Sequence, residues 1–300
     1  MASERFFSEA FLRRLEALAL FYHRATTSQM QGERRSTKRG QSVEFSDFRP
    51  YVPGDDFRRI DWNAYARLER LFIKLFVEEE DLTVHLLIDV SRSMDWGQPT
   101  KLDYATRVAG ALGYVALVKL DRLTATALGN KLPTASSYFP PKRGKNAALS
   151  LFSFLQSLSS NPSAGNGKGP VSWLNSYAAS VRNPGPLLLF SDLMDDGWRQ
   201  GLNSLGGRGF EVSILHILSP DEVNPELAGD FKLIDSEIRS EVEITADFET
   251  LERYRQGLEA WQESWRRFCR SRGMHYVPII TSLPLEELLF AKLPRQGVLK

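Results

Sequence analysis

Cysteine is almost absent from this chain: Cys269 is the only one in 300 residues. No intramolecular disulfide can form, so nothing points to an oxidising destination. Long apolar runs are missing too. The best stretch, Ala109 to Val118, falls far short of the roughly 20 residues that cross a bilayer. The N-terminal stretch is broken by Glu4, Arg5, Glu9, Arg13, Arg14 and Glu16, which excludes a signal-peptide core. The expectation is a cytoplasmic protein with no membrane insertion. An excess of one charge is also lacking, since 38 basic and 37 acidic residues leave a net +1. Dedicated nucleic-acid binding is therefore disfavoured. No Walker-type GxxxxGK[ST] occurs, so any ATPase activity must come from a partner.

What is present is an average globular composition, 42% hydrophobic and 25% charged, in a chain long enough to bury its own core. Glu9 to Arg24 reads as an amphipathic helix through Phe11, Leu12, Leu15, Leu18, Ala19 and Tyr22. It can pack on the body of the protein or recruit a partner, and packing is the plainer reading. Thr26 to Gly40 is basic and poor in apolar residues, which suits a solvated loop. The next block, EFSDFRPYVPGDDFRRIDWNAYARLERLFIKLF, is dense in aromatic and charged residues. Pro53-Gly54 fits the centre of a type II turn. Asp55 or Asp56 can cap one short helix, and Asp61 another running from Trp62 to Arg70. Strands are expected at Leu71–Val77 and Thr83–Ile88, joined as a hairpin through Glu79-Glu80-Asp81.

Beyond Ile88 the pattern alternates. Helices are expected at 101–119, 146–158, 173–181, 198–205, 248–272 and from Leu285. Strands are expected at 123–128, 135–139, 187–190, 210–218 and 276–280, with a small hairpin in FKLIDSE and EVEITAD. Such alternation predicts a mostly parallel sheet flanked by helices. The organisation expected is a helical and extended N-terminal arm over residues 1–70, then an α/β domain over 71–300.

Ligands of open parallel sheets sit beyond the carboxyl ends of the strands. Two acids fall there: Asp89 opens Asp89-Val90-Ser91-Arg92-Ser93-Met94, and Asp192 follows Leu187-Leu188-Leu189-Phe190-Ser191. An Asp-x-Ser-x-Ser turn can aim a carboxylate and two hydroxyls at one point. A second strand-end carboxylate completes an oxygen set for a hard cation such as Mg²⁺. The plainer alternative is that the serines and Asp89 only hold the turn.

These residues carry a resemblance. The Asp89–Met94 turn looks like the metal-ion-dependent adhesion site of von Willebrand factor A domains. The block from Glu44 to Arg67, with LLLFSDLMDD, FEVSILHILSPDE and LIDSE downstream, resembles the bacterial domain of unknown function 58 from about Gly40 onward. That resemblance implies a von Willebrand A-like (Rossmann-type) fold, no established catalysis, and frequent association with MoxR-type AAA+ ATPases in chaperone-like or metal-insertion work. It also implies a third hydroxyl ligand from a threonine. Here the matching turn, Arg143-Gly144-Lys145-Asn146, offers Lys145 instead. The expectation is a degenerate site at Asp89, Ser91, Ser93 and Asp192. Mg²⁺ or Mn²⁺ binding there is weak or absent, with Lys145 paired to Asp89 or Asp192 in place of an ion. Arg92, Lys145 and Asp195 would form the partner-binding rim, where lysine and arginine can receive a partner's carboxylate directly.

An enzymatic alternative is Mg²⁺-dependent phosphatase chemistry on the strand-end aspartates, including Asp195 and Asp196. It lacks the second Asp for proton transfer, because Ser91 stands at that position. The arm's Arg49, Asp55, Asp56, Arg58, Arg59, Asp61 and Arg67 form either a docking face or an ion-pair lattice. His23, His85, His216 and His275 have no ligand spacing and read as core or edge residues. Cys269 lies among Arg266, Arg267 and Arg270, which can lower its pKa, but with no histidine beside it the thiol reads as inert.

Overall fold

The computed structural model describes residues 6–21, 43–78, 82–129, 137–159, 169–234 and 240–300. The chain divides into two compact units, residues 23–81 and residues 1–22 with 82–300. Helix α1 (Glu9–Leu15) thus belongs to the larger unit rather than grouping with the arm. It is shorter than the periodicity suggested. A turn at Glu16–Ala17 ends it, and Leu20 bridges antiparallel to Leu299.

The smaller unit is built on an antiparallel pair, β1 (Val43–Pro50) and β2 (Phe72–Glu78). Between them lie a 3-10 turn at Phe57–Arg59 and helix α2 (Trp62–Leu68). Val52 to Asp55 is a tight turn closed by Asp55 N–H donating to the Val52 carbonyl at 3.1 Å. Gly54 has φ +110 there, as a type II turn requires. Asp56 caps the 3-10 turn through the Arg58 N–H, and Asp61 caps α2 through the N–H groups of Asn63 and Ala64.

The hairpin expected between the strands flanking Glu79–Asp81 does not form. β2 pairs with β1, whose Ser, Asp, Arg and Pro content hides its strand signal. The following strand, β3 (Thr83–Asp89), is buried at every residue, so it sits in the middle of a sheet. The larger unit continues through α3 (Lys101–Val118), β4 (Arg122–Leu128), β5 (Tyr138–Lys142), α4 (Ala148–Ser159) and α5 (Pro170–Ser180). Then follow β6 (Pro186–Ser191), α6 (Gly197–Gly206), β7 (Glu211–Leu218), α7 (Pro220–Val223), β8 (Gly229–Ile234), β9 (Glu241–Ala246), α8 (Phe248–Arg270) and β10 (His275–Ile280). A last helical segment starts at Leu285 and includes a π-helical turn at Leu288–Lys292.

Six strands form one sheet in the order β10-β7-β6-β3-β4-β5, all parallel except β5. β5 carries Pro140 and Pro141, which an edge strand tolerates. β8 and β9 make a separate antiparallel ribbon. The mostly parallel α/β sheet flanked by helices that the sequence leads one to expect is the one observed.

Alternate residues of each central strand feed opposite layers, as the pleat dictates. Val84, Leu86, Ile88, Leu188 and Phe190 pack with α1, α3 and α4, whereas Leu87, Leu187 and Leu189 pack with α5, α6 and α8. Cys269 lies in that second layer, 1% exposed, and burial pushes its thiol up to about 12 despite the neighbouring arginines. Among the described residues, no helix is long and apolar enough to cross a membrane.

Candidate functional site

The sheet order fixes where a site can be. From β3 the chain moves outward through β4 and β5, then returns to the other side of β3 as β6 and moves outward through β7 and β10. The strand order therefore reverses between β3 and β6, and a crevice opens beyond their carboxyl ends. Asp89 ends β3 and Asp192 follows β6, so both acids flank this switch point, each 1% exposed.

The Asp89 carboxylate is fully engaged. Oδ1 accepts from the Ser91 N–H at 2.9 Å, and Oδ2 accepts from the Ser191 hydroxyl at 2.6 Å. Ser191 Oγ in turn accepts from the Leu193 N–H at 2.9 Å. Burial, and then the charge of Asp192, raise the Asp89 pKa to about 7. The hydroxyls of Ser91 and Ser93 lie 3.1 Å apart and bond to each other. Leu193, buried directly after Asp192, takes φ +57, a strained value for a leucine.

Asp192 faces a residue that motif reading overlooked. The ammonium of Lys101 donates to Asp192 Oδ2 at 2.8 Å and also pairs with Glu222. Lys101 is itself 1% exposed. Burial alone would lower its pKa, but the two carboxylates outweigh that and hold it above the ordinary value. Glu222 is fixed by a capping box: its second oxygen accepts from the Ser219 N–H at 2.8 Å, and the Ser219 hydroxyl caps α7. His216 closes the floor. Its Nε2–H donates to the Asp192 carbonyl at 3.0 Å, and Nδ1 accepts from the Tyr276 hydroxyl at 2.5 Å. Burial drives its pKa down to about 4, so the ring is neutral.

Lys145 is not at this cluster. Its ammonium reaches Glu16 at 2.5 Å, beside the Tyr114 ring, and its side chain is 61% exposed. The pairing with Asp89 or Asp192 that motif alignment suggested is replaced by this surface contact. Of the other residues expected at the rim, Arg92 is exposed, and Asp195 is exposed with its carboxylate accepting from the Gly197 N–H at 2.7 Å. Trp96 and Met194 were not anticipated, yet they stand exposed on the same two loops. Trp96, Gly97, Gln98, Pro220 and Asp221 line an open cleft of about 460 Å³. Gly97 permits this close approach, because a Cβ there would lie 2.8 Å from Ser219 Cβ.

In the smaller unit the expected ionic cluster resolves into separate roles. Arg49 grips Asp55 with two bonds of 2.7 and 2.6 Å, Asp56 and Asp61 are caps, and Arg58 and Arg67 are exposed. The side chain of Arg59 and the whole of His23 lie outside the described residues. Buried His85 donates from Nε2 to the Asn183 carbonyl and accepts at Nδ1 from the Tyr177 hydroxyl. His275 lies exposed on β10. Neither serves the cluster at Asp192.

The oxygens do not fit a divalent ion. Asp192 Oδ2 already holds an ammonium, Asp89 has a donor on each oxygen, and the two serine hydroxyls bond to one another. Among the described residues, no group of three or more His, Cys, Asp or Glu side chains is arranged to hold a metal.

The family model described as "Protein of unknown function DUF58" matches residues 47–264. The chain belongs to this family. It is 25% identical over 226 residues to the uncharacterized protein Rv1480 of Mycobacterium tuberculosis and to the uncharacterized protein Mb1516 of Mycobacterium bovis. The match covers 74% of the DUF58 chain and 70% of each relative. Among solved structures it is similar to the conserved hypothetical protein BatB from Bacteroides thetaiotaomicron, with a TM-score of 0.42 and 14% identity over 72% of this chain and 98% of that one. A second is an aerotolerance-related membrane protein from Bacteroides fragilis, with a TM-score of 0.40 and 16% identity over 66% and 91% of the respective chains.

Proposed function

We propose that this DUF58 protein is a non-catalytic protein-interaction module that docks its partner on the rim above the β3/β6 switch point. The partner class we infer, on family resemblance, is a MoxR-type AAA+ ATPase acting in chaperone-like or assembly work. One observation carries the docking reading. Arg92 and Trp96 stand exposed on the loop after β3 and Met194 on the loop after β6, beyond strand-end acids that are already bonded internally. Tryptophan, methionine and arginine are the residues enriched where protein interfaces form. Exposed Asp195 and Asp196 on the same rim add charge that can set orientation more than affinity.

Phosphoryl transfer is the less supported alternative. Asp89 is buried, bonded on both oxygens and raised in pKa, which makes it a poor nucleophile, and Ser91 puts a hydroxyl where a second carboxylate would be needed to relay the proton.

The test is direct binding of the full chain to the MoxR-type ATPase encoded in the same genome, in apo, ADP and ATP-analogue states. Binding is expected to survive chelator, to weaken with Trp96→Ala and Arg92→Glu, and to be unaffected by Lys145→Glu. No binding in any nucleotide state would sink the partnership. Full binding by the Trp96→Ala/Arg92→Glu double variant would sink the rim.

A further inference from the structure

We propose that the protein pairs with a second copy of itself, α2 of each chain seating on the β8/β9 ribbon of the other. This surface is separate from the docking rim, and the inference does not rest on that reading.

The smaller unit carries a helix with no buried residue. Trp62, Tyr65 and Leu68 follow one another along α2 at three-residue steps and are 61%, 45% and 60% exposed. The Trp62 and Tyr65 rings meet edge to face at 6.2 Å, so the two form one aromatic surface. A helix of two turns gains little from its own hydrogen bonds and depends on packing of its apolar face. Its charges indicate what covers it. Asp55 is held by Arg49, and Asp56 and Asp61 are engaged as caps. Arg58, Arg67 and Arg70 are exposed and, among the described residues, meet no carboxylate. Tryptophan, tyrosine and arginine together are the composition of an interface anchor. The matching occupant is apolar and carries acids.

The larger unit exposes such a surface. On the ribbon, the cross-strand pairs Phe231–Ile244 and Leu233–Val242 lie on one face. The first pair is half-buried, whereas Leu233 and Val242 are 46% and 57% exposed. The alternate positions carry Asp230, Glu241 and Glu243 against one cation, Lys232, which pairs with Glu241 at 2.6 Å. A ribbon of two strands is marginal by itself and needs a neighbour on its apolar face. Both surfaces stay exposed in the single chain, one aromatic and basic, the other aliphatic and acidic. Exchange about a twofold axis makes the contact twice, each copy giving its α2 and receiving the other's on its ribbon. With 38 basic and 37 acidic residues, two copies meet with little long-range repulsion.

The experiment is sedimentation equilibrium of the full chain without any partner. Wild type is expected at twice the mass of the chain. Trp62→Ala and Val242→Asp, both at exposed positions, are each expected to raise the dimer dissociation constant at least about tenfold, as loss of an interface anchor does. Mixing the two variants should restore association, because the first keeps an intact ribbon and the second an intact α2. Should either fail to fold, Arg67→Glu replaces Trp62→Ala and Glu243→Lys replaces Val242→Asp, with the same expectations. Wild type that stays monomeric at its highest soluble concentration would overturn the proposal. So would a dimer indifferent to both substitutions, or a mixture no tighter than its parts. If wild type is monomeric and Trp62→Ala instead loses the ATPase, α2 serves that partner and self-pairing falls.

Discussion

Lys101 and Lys145 invite comparison, because each opens a helical segment and each bonds a glutamate. Lys101 is 1% exposed and shared between two carboxylates, whereas Lys145 is 61% exposed and meets one carboxylate, Glu16. Order along the chain singles out Lys145, since it stands where the related motif has threonine. Burial singles out Lys101. An exposed pair gains little, because water and salt screen it and two long side chains must be ordered. A buried ammonium leaves uncompensated carboxylates behind when it is removed. The same chemistry is thus structural in one place and nearly free in the other.

The sharpest way to break this contrast is to neutralise each lysine in turn. Lys101→Met is expected to cost about 3–5 kcal/mol, as for other broken buried pairs, read as a shift of the urea midpoint. Lys145→Met is expected to leave that midpoint unchanged. Equal effects of the two substitutions would dissolve the distinction.

Acid titration separates the two regions next. His216 lies against Asp192 and is held neutral down to about 4. The unfolded imidazole takes its proton near 6.5, so between these values the unfolded chain binds more protons and stability falls as pH drops. The expected loss is on the order of 3 kcal/mol from this ring. Buried His85, also lowered to about 4, adds a loss of the same sign. Asp89 acts oppositely: its raised pKa lets stability grow as pH falls from about 7. Asp89→Asn should therefore steepen the acid decline, and His216→Gln should flatten it. Glu16 is lowered from 4.5 by its bonds to Lys145 and Tyr114, so the exposed pair can respond only below that window. Denaturation midpoints measured from pH 7.5 down to about 4 check all three.

Much of the fold was legible because burial writes itself into sequence. Leu86-Leu87-Ile88 and Leu187-Leu188-Leu189 announce strands covered on both faces, and α3, α8 and the β8/β9 ribbon follow their periodicities. β1 was not legible, since Ser46, Asp47, Arg49 and Pro50 interrupt any apolar alternation. Asp89 and Asp192 could be placed because strand ends are where open sheets hold ligands. Their true partner could not be read by motif, since it comes from the start of a different helix. A physical signal did exist. A lysine at the first turn of a mostly apolar helix opposes the helix dipole and implies an acidic partner. The Ser219–Glu222 capping box likewise marks Glu222 as fixed in place.

Within the buried cluster, Glu222→Gln sharpens the comparison by removing one of the two charges on Lys101 while leaving Asp192. The amide can still accept from the ammonium, but its NH₂ then meets the Ser219 N–H, two donors face to face. A loss of about 2 kcal/mol is expected, smaller than for Lys101→Met. The smallest effect belongs to the surface pair. Raising salt to about 1 M shortens the screening length to about 3 Å. Any stability difference between wild type and Lys145→Gln should then vanish. The difference between wild type and Lys101→Met should persist, because neither salt nor water reaches an ammonium enclosed by Asp192 and Glu222. If salt erased both differences alike, Lys101 would be as solvated as Lys145, and the enclosure that distinguishes them would not hold in solution.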